Sequence, residues 1–118
     1  RKLAMAVKYI LRLPEPSRAR GTEPSLSFTS DGAGGLAAEL QAALREDTLF
    51  QRWRAMQEDP DEVDDALGAT DPAATVVGKQ EDLTIELHAT TSISSGILKQ
   101  RLKWLAGDKW VLADVRNP

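Results

Sequence analysis

LTIELHATTSISSGILKQRLKWLAGDKWVLADV, running from Leu83 to Val115, is the stretch on which the fold assignment turns. It reads as three consecutive β-strands that end in a hairpin. Gly107-Asp108 is a two-residue loop of the kind that tolerates positive φ, and it is flanked by Lys103 to Ala106 and by Lys109 to Leu112. A turn there places Leu105 opposite Trp110, Trp104 opposite Val111, Leu102 opposite Ala113 and Arg101 opposite Asp114, with paired residues sharing a face. One face then carries Leu98, Leu102, Trp104, Val111, Ala113 and Val115 and is expected to meet the core. The other face is mixed, with Lys99, Arg101, Lys103, Leu105, Trp110, Leu112 and Asp114. A slip of one residue would bring Lys99, Arg101 and Lys103 into the core, so this register is the preferred one.

The chain has 118 residues, the size of one domain, and a chain of this length buries roughly two-thirds of the surface it exposes when unfolded. It holds no cysteine, which excludes disulfides and thiolate metal sites. A formal charge of −3 argues against a dedicated nucleic-acid or anionic-membrane binder, although a local basic face is compatible with it. No run approaches the ~20 apolar residues that span a bilayer. The chain opens on Arg1 rather than Met, which sets the expectation of a processed or trimmed start whose preceding segments cannot be read here.

From the start, Leu3, Met5, Val7, Tyr9, Leu11 and Leu13 alternate with their neighbours, which is strand periodicity. Residues 14–24 hold Pro14, Pro16, Gly21 and Pro24 and predict an exposed loop. A short strand is expected around Leu26 and Phe28. The period then changes. Leu36, Leu40, Ala43 and Leu44 form a helical stripe, with Ser30 or Asp31 placed as its cap, and Leu49, Phe50, Trp53 and Met56 form a second. A third, short helix is expected from Asp59 as N-cap through Pro60 and Glu62 to a stop at Gly68. Strand returns at Ala74 to Val77 and again at Leu83 to Ala89. No internal repeat is present.

Four features bear on function. Gly32-Ala33-Gly34-Gly35-Leu36-Ala37 has the glycine spacing of a dinucleotide-binding turn, but that turn requires a parallel strand after the helix, and Leu49 to Met56 reads as helix. Glu58, Asp59, Asp61, Glu62, Asp64 and Asp65 lack the order of a calcium loop and read as a solvated acidic helix. Glu86 and His88 lie two apart on one strand face, where a carboxylate could orient an imidazole, yet no strained nucleophile turn accompanies them. The fourth is the mixed hairpin face. Lys99, Arg101, Lys103, Leu105, Trp110 and Leu112 together combine aromatic, aliphatic and cationic groups in the proportion that protein interfaces favour.

The order of strand, helices and closing strands resembles small α+β domains of the cystatin-like and NTF2-like kind. The stretch Leu36 to Leu87 also resembles the N-terminal domain of TolB and its relatives. These resemblances imply a binding module, often associated with a bacterial periplasm or envelope. The expected structure is therefore an α+β domain spanning residues 1–118. An N-terminal strand, two to three helices and an antiparallel meander would form it, with helices on one face of a curved sheet. The expected role is a non-enzymatic protein-binding or assembly module with no cofactor, no metal site and no nucleic-acid partner. Two alternatives accompany it. One is a small-molecule or degenerate-enzyme domain with a pocket between sheet and helices lined by Phe50, Trp53 and Trp104. The other is an acidic inhibitor or immunity-type protein acting through Glu58 to Asp65.

Overall fold

A computed structural model describes residues 5–118, so Lys2 and Leu3, the first members of the opening alternation, lie outside the described residues. From Val7 the alternation becomes strand β1 (Val7–Leu13), which sends Tyr9, Leu11 and Leu13 to one face. Strand β2 (Thr75–Glu81) and strand β3 (Thr84–Thr91) follow the same period, Ile85, Leu87, Ala89 and Thr91 being buried on alternate positions of β3. Strand β4 (Val111–Arg116) completes an antiparallel sheet of order β2-β3-β1-β4. Leu11 faces Leu87 on one side and Leu112 on the other, and the β4 register shifts between Ile10 and Leu11. β1 and β3 are the two inner strands. β1 pairs with β3 and β4, both far along the chain.

The helices are α1 (Ala33–Arg45), α2 (Thr48–Ala55) and α3 (Ser95–Ala106). Leu36, Leu40 and Leu44 of α1, Leu49 and Phe50 of α2, and Leu98, Leu102 and Leu105 of α3 join the Tyr9, Leu11, Leu13, Ile85 and Leu87 face in one apolar core. Helices on one face of an antiparallel sheet make the α+β two-layer architecture expected from the sequence, and the molecule measures 18 Å along its shortest axis. The element order β1-α1-β2-β3-α3-β4, with α2 inserted after α1, interleaves two β-α-β units. No described helix is long and apolar enough to cross a membrane.

Here the hairpin reading is corrected. Ser95–Ala106 is a helix, so β3 and β4 are not joined by a hairpin and lie on either side of β1. Ser94 caps the helix, accepting from the Ile97 N–H at 3.4 Å. Leu98, Arg101, Leu102 and Leu105 recur at helical spacing on its buried side. Gly107, at φ +63°, ends the helix by donating its N–H to the Lys103 carbonyl, so the glycine that suggested a hairpin turn is a helix stop.

Three smaller expectations also change. Residues 25–29 form no strand; Leu26 and Phe28 are buried, and the Phe28 N–H donates to the Leu105 carbonyl at the end of α3. The glycine turn before α1 is not among them: every ladder of the described residues is antiparallel, which agrees with the reading against a dinucleotide site. α1 takes no cap from Ser30 or Asp31; Glu39 reaches back from the second turn instead, accepting from Thr29 N–H, Thr29 Oγ1 and Ser30 N–H. The third helix divides into two short 3-10 turns, Pro60–Glu62 and Asp65–Gly68, with extended Val63 and Asp64 between them. Asp64, not Asp59, is the residue that caps through its side chain, accepting from the Ala66 N–H at 2.9 Å. With only Val63 and Leu67 to bury, this acidic run offers too little apolar face for a continuous helix.

Asp71 ties the loop before β2 to the end of β3. Its carboxylate accepts from Thr91 Oγ1 and from the Ser92 N–H, both at 2.9 Å, and from the Ala73 N–H at 3.1 Å. Burial pushes the carboxyl upward, but these hydrogen bonds outweigh it and hold the group below its ordinary value of 3.8. A carboxyl lowered by folding contributes stability above its unfolded pKa and loses it as the pH falls through the native value. Urea unfolding at pH 7, 4 and 3 should therefore show a loss on acidification that is smaller in Asp71→Asn. An identical pH dependence in the two proteins would show that Asp71 contributes none of it.

Candidate functional site

α3 presents two sides. Leu98, Arg101, Leu102, Leu105 and Trp104 point inward, while Gly96, Lys99, Gln100 and Lys103 line the outer side at helical spacing. Beyond the Gly107 stop the chain folds back, and Trp110 Nε1 donates to the Gly107 carbonyl at 2.9 Å, which fixes the indole beside the helix. Arg20 and Thr22, from the segment after β1, come alongside. Together they bound an open groove of about 740 Å³ lined by Arg20, Thr22, Lys99, Gln100, Lys103 and Trp110, with Gly96, Gly107 and Asp108 at its margins. Three cations face one carboxylate there. Among the described residues, none of the three forms an ion pair with a carboxylate.

The six residues expected to form one partner-binding face divide. Lys99, Lys103 and Trp110 meet in the groove. Leu105 is buried, and Leu112 is half-buried against the core. Arg101 is fully buried, donating through one terminal nitrogen to the carbonyls of Leu67 at 2.8 Å and Ala69 at 3.0 Å. Its other terminal nitrogen and its Nε have no partner among the described residues. Burial lowers the guanidinium pKa, and the charge of Asp47 opposes that shift. Arg101 is therefore an interior support for the 67–69 loop rather than part of a surface. The helix accounts for this division, since residues two apart share a strand face but point to different sides of a helix.

Trp53 lies between Phe50 and Trp104 in a chain of two ring contacts. Trp53 stacks on Trp104 with ring centroids 4.9 Å apart, and Phe50 lies 6.1 Å from Trp53. Trp53 and Trp104 border a hollow of about 330 Å³ with Thr22, Glu23, Met56, Gln100 and Lys103, and no sheet residue lines it. Phe50 does not reach it, so the three aromatics are helix-to-helix packing and not the lining of a chamber between sheet and helices.

On the sheet face away from the helices, Glu86 and His88 stand together as strand periodicity requires. Arg12 donates to one oxygen of Glu86 at 3.1 Å, and His88 Nε2 lies 3.2 Å from the other. The hydrogen bond with His88, and then that with Arg12, hold the Glu86 carboxyl below its ordinary value. His88 Nδ1 is buried without a partner among the described residues. Among the described residues no group of three or more histidine, cysteine or acidic side chains is placed to hold a metal ion.

Sequence reasoning grouped Lys99, Lys103 and Trp110, which line this groove together, but did not include Arg20 and Thr22, which come from about eighty residues earlier. The helical signal was available in Ser94 before Leu98, Leu102 and Leu105, with Gly107 after them. No known family model, no curated protein and no solved structure matches this chain, so neither the cystatin-like and NTF2-like nor the TolB-like resemblance gains support from them.

Proposed function

We propose that this chain is a non-enzymatic protein-binding or assembly module and that its α3 groove receives an acidic segment of a protein partner. The observation that carries the proposal is the convergence of Arg20, Lys99 and Lys103 beside the Trp110 indole in one open groove. Cations not paired with a carboxylate attract carboxylates over distance, and an indole adds a rigid apolar anchor at little entropic cost. The formal charge of −3 favours protein over nucleic acid, because a strand-tracking site needs a longer positive stripe than three side chains.

Selection of a random displayed-peptide library on the immobilised protein tests this. Wild type should enrich peptides rich in Asp and Glu with an interspersed apolar residue. Lys99→Glu combined with Lys103→Glu, both at exposed positions, should leave the circular dichroism spectrum unchanged and weaken binding of those peptides at least ~10-fold. Enrichment of the same peptides by the charge-reversed variant would overturn the proposal.

A further inference from the structure

The groove does not end at Lys103. Thr22, Gln100 and Lys103 also line the hollow over Trp53 and Trp104, so the two depressions form one continuous surface. That hollow ends at Met56, 46% exposed, and at Gln57, immediately before Glu58. Glu58, Asp59, Asp61, Glu62, Asp64 and Asp65 are all exposed. The surface thus runs from the cationic groove through the hollow over Trp53, Trp104 and Met56, where Glu23 is the one carboxylate, to the exposed acidic stretch that follows Gln57 in the chain. Its two charged ends do not neutralise each other within the chain. Among the described residues the acidic stretch forms one ion pair, Arg54 with Asp65 at 3.8 Å, and neither Lys99 nor Lys103 takes part.

A surface ordered in this way is complementary to itself. Rotation by half a turn about an axis through the apolar middle lays the cationic end on the anionic end twice, once in each direction. We infer that the acidic segment received by the groove is Glu58 to Asp65 of a second copy of this chain, the two copies pairing about a twofold axis through the Trp53–Met56 hollow. This rests on the groove being a protein-binding site and names its occupant. Lys99 and Lys103 of each copy then face the acidic turn of the other, and the exposed Met56 side chains are covered at the centre. An unrelated acidic protein would satisfy the cations but would leave the order of the three zones without a reason.

Sedimentation velocity on the whole chain decides. At 50 mM salt, wild type should pass from monomer to dimer with rising concentration, and at 500 mM salt the dissociation constant should rise at least ~10-fold. Lys99→Glu with Lys103→Glu makes both ends acidic, and Glu58→Lys, Asp59→Lys, Asp61→Lys and Glu62→Lys together make both ends basic while keeping the Asp64 cap and the Asp65–Arg54 pair. Each of these variants should be monomeric alone. Mixed one to one, they should form a dimer containing one copy of each, because both cross-contacts are then restored. A wild type that stays monomeric at low salt, a mixture that stays monomeric, or a ladder of higher species in place of a dimer would each overturn the twofold pairing. A monomeric wild type that still selects acidic peptides would leave the groove reading standing with a different protein as occupant; failure of that selection as well would remove both.

Discussion

Arg101→Ala should destabilise the protein by about 3–4 kcal/mol, most of it for the large buried side chain lost and the rest for two part-buried carbonyls left without their donor. Arg101 is fully buried on α3, and the carbonyls of Leu67 and Ala69 depend on it. The charge itself opposes this contribution. Nε and one terminal nitrogen lack partners, and no carboxylate is within ion-pair distance among the described residues, so the guanidinium bears much of its desolvation cost uncompensated. Arg101→Met separates the two effects. It keeps most of the volume and removes the charge, and its loss should be only about 1–2 kcal/mol, reflecting the unpaired carbonyls alone. Urea unfolding of both variants measures the difference. A methionine variant less stable than the alanine variant would mean that the hydrogen-bond and packing account of this site is wrong.

Gly78→Val is expected to cost about 3 kcal/mol, because it forces apart two elements that meet backbone to backbone. A Cβ at Gly78 would stand 2.2 Å from the carbonyl oxygen of Ala33 and 2.7 Å from its carbonyl carbon. Ala33 is the first residue of α1, so no side chain can swing aside, and the helix must lift from β2. Gly34→Ala, one residue further along α1, meets nothing within 4 Å and should instead stabilise by about 0.5–1 kcal/mol through a less flexible unfolded chain and better helix propensity. Thermal unfolding of the pair reads opposite signs. A neutral Gly78→Val would show that the first turn of α1 does not rest on the sheet as closely as described.

Both sites show where the sequence was legible. The alternation of Val7 to Leu13 and of Thr84 to Thr91, and the stripes Leu36-Leu40-Leu44 and Leu49-Phe50-Trp53, each favour one period over enough residues to be read without context, the helical set Leu3, Val7, Ile10 and Leu11 being the weaker reading of the first. Ser95 to Ala106 was different. Its inward stripe includes Arg101, a charge where the helical template expects an apolar residue, and Gly107-Asp108 fits a hairpin loop as well as a helix stop. A buried arginine hides a helix from hydrophobic periodicity because only the carbonyls of Leu67 and Ala69, some thirty residues away, make its burial tolerable.

The candidate groove divides along the same line. That Lys99, Lys103 and Trp110 form a cationic, aromatic group follows from their closeness in the chain, and helix or hairpin brings them near one another alike. Arg20 and Thr22 belong to the group only because the segment after β1 crosses the end of α3. Local periodicity and capping are properties of neighbours in sequence, so the sequence by itself determined the α+β class, α1, α2 and the strands β1 and β3. Strand order, the helical state of α3, the burial of Arg101 and the continuity of groove, hollow and acidic turn were decided by tertiary structure, because each depends on contacts between segments tens of residues apart that no local pattern encodes.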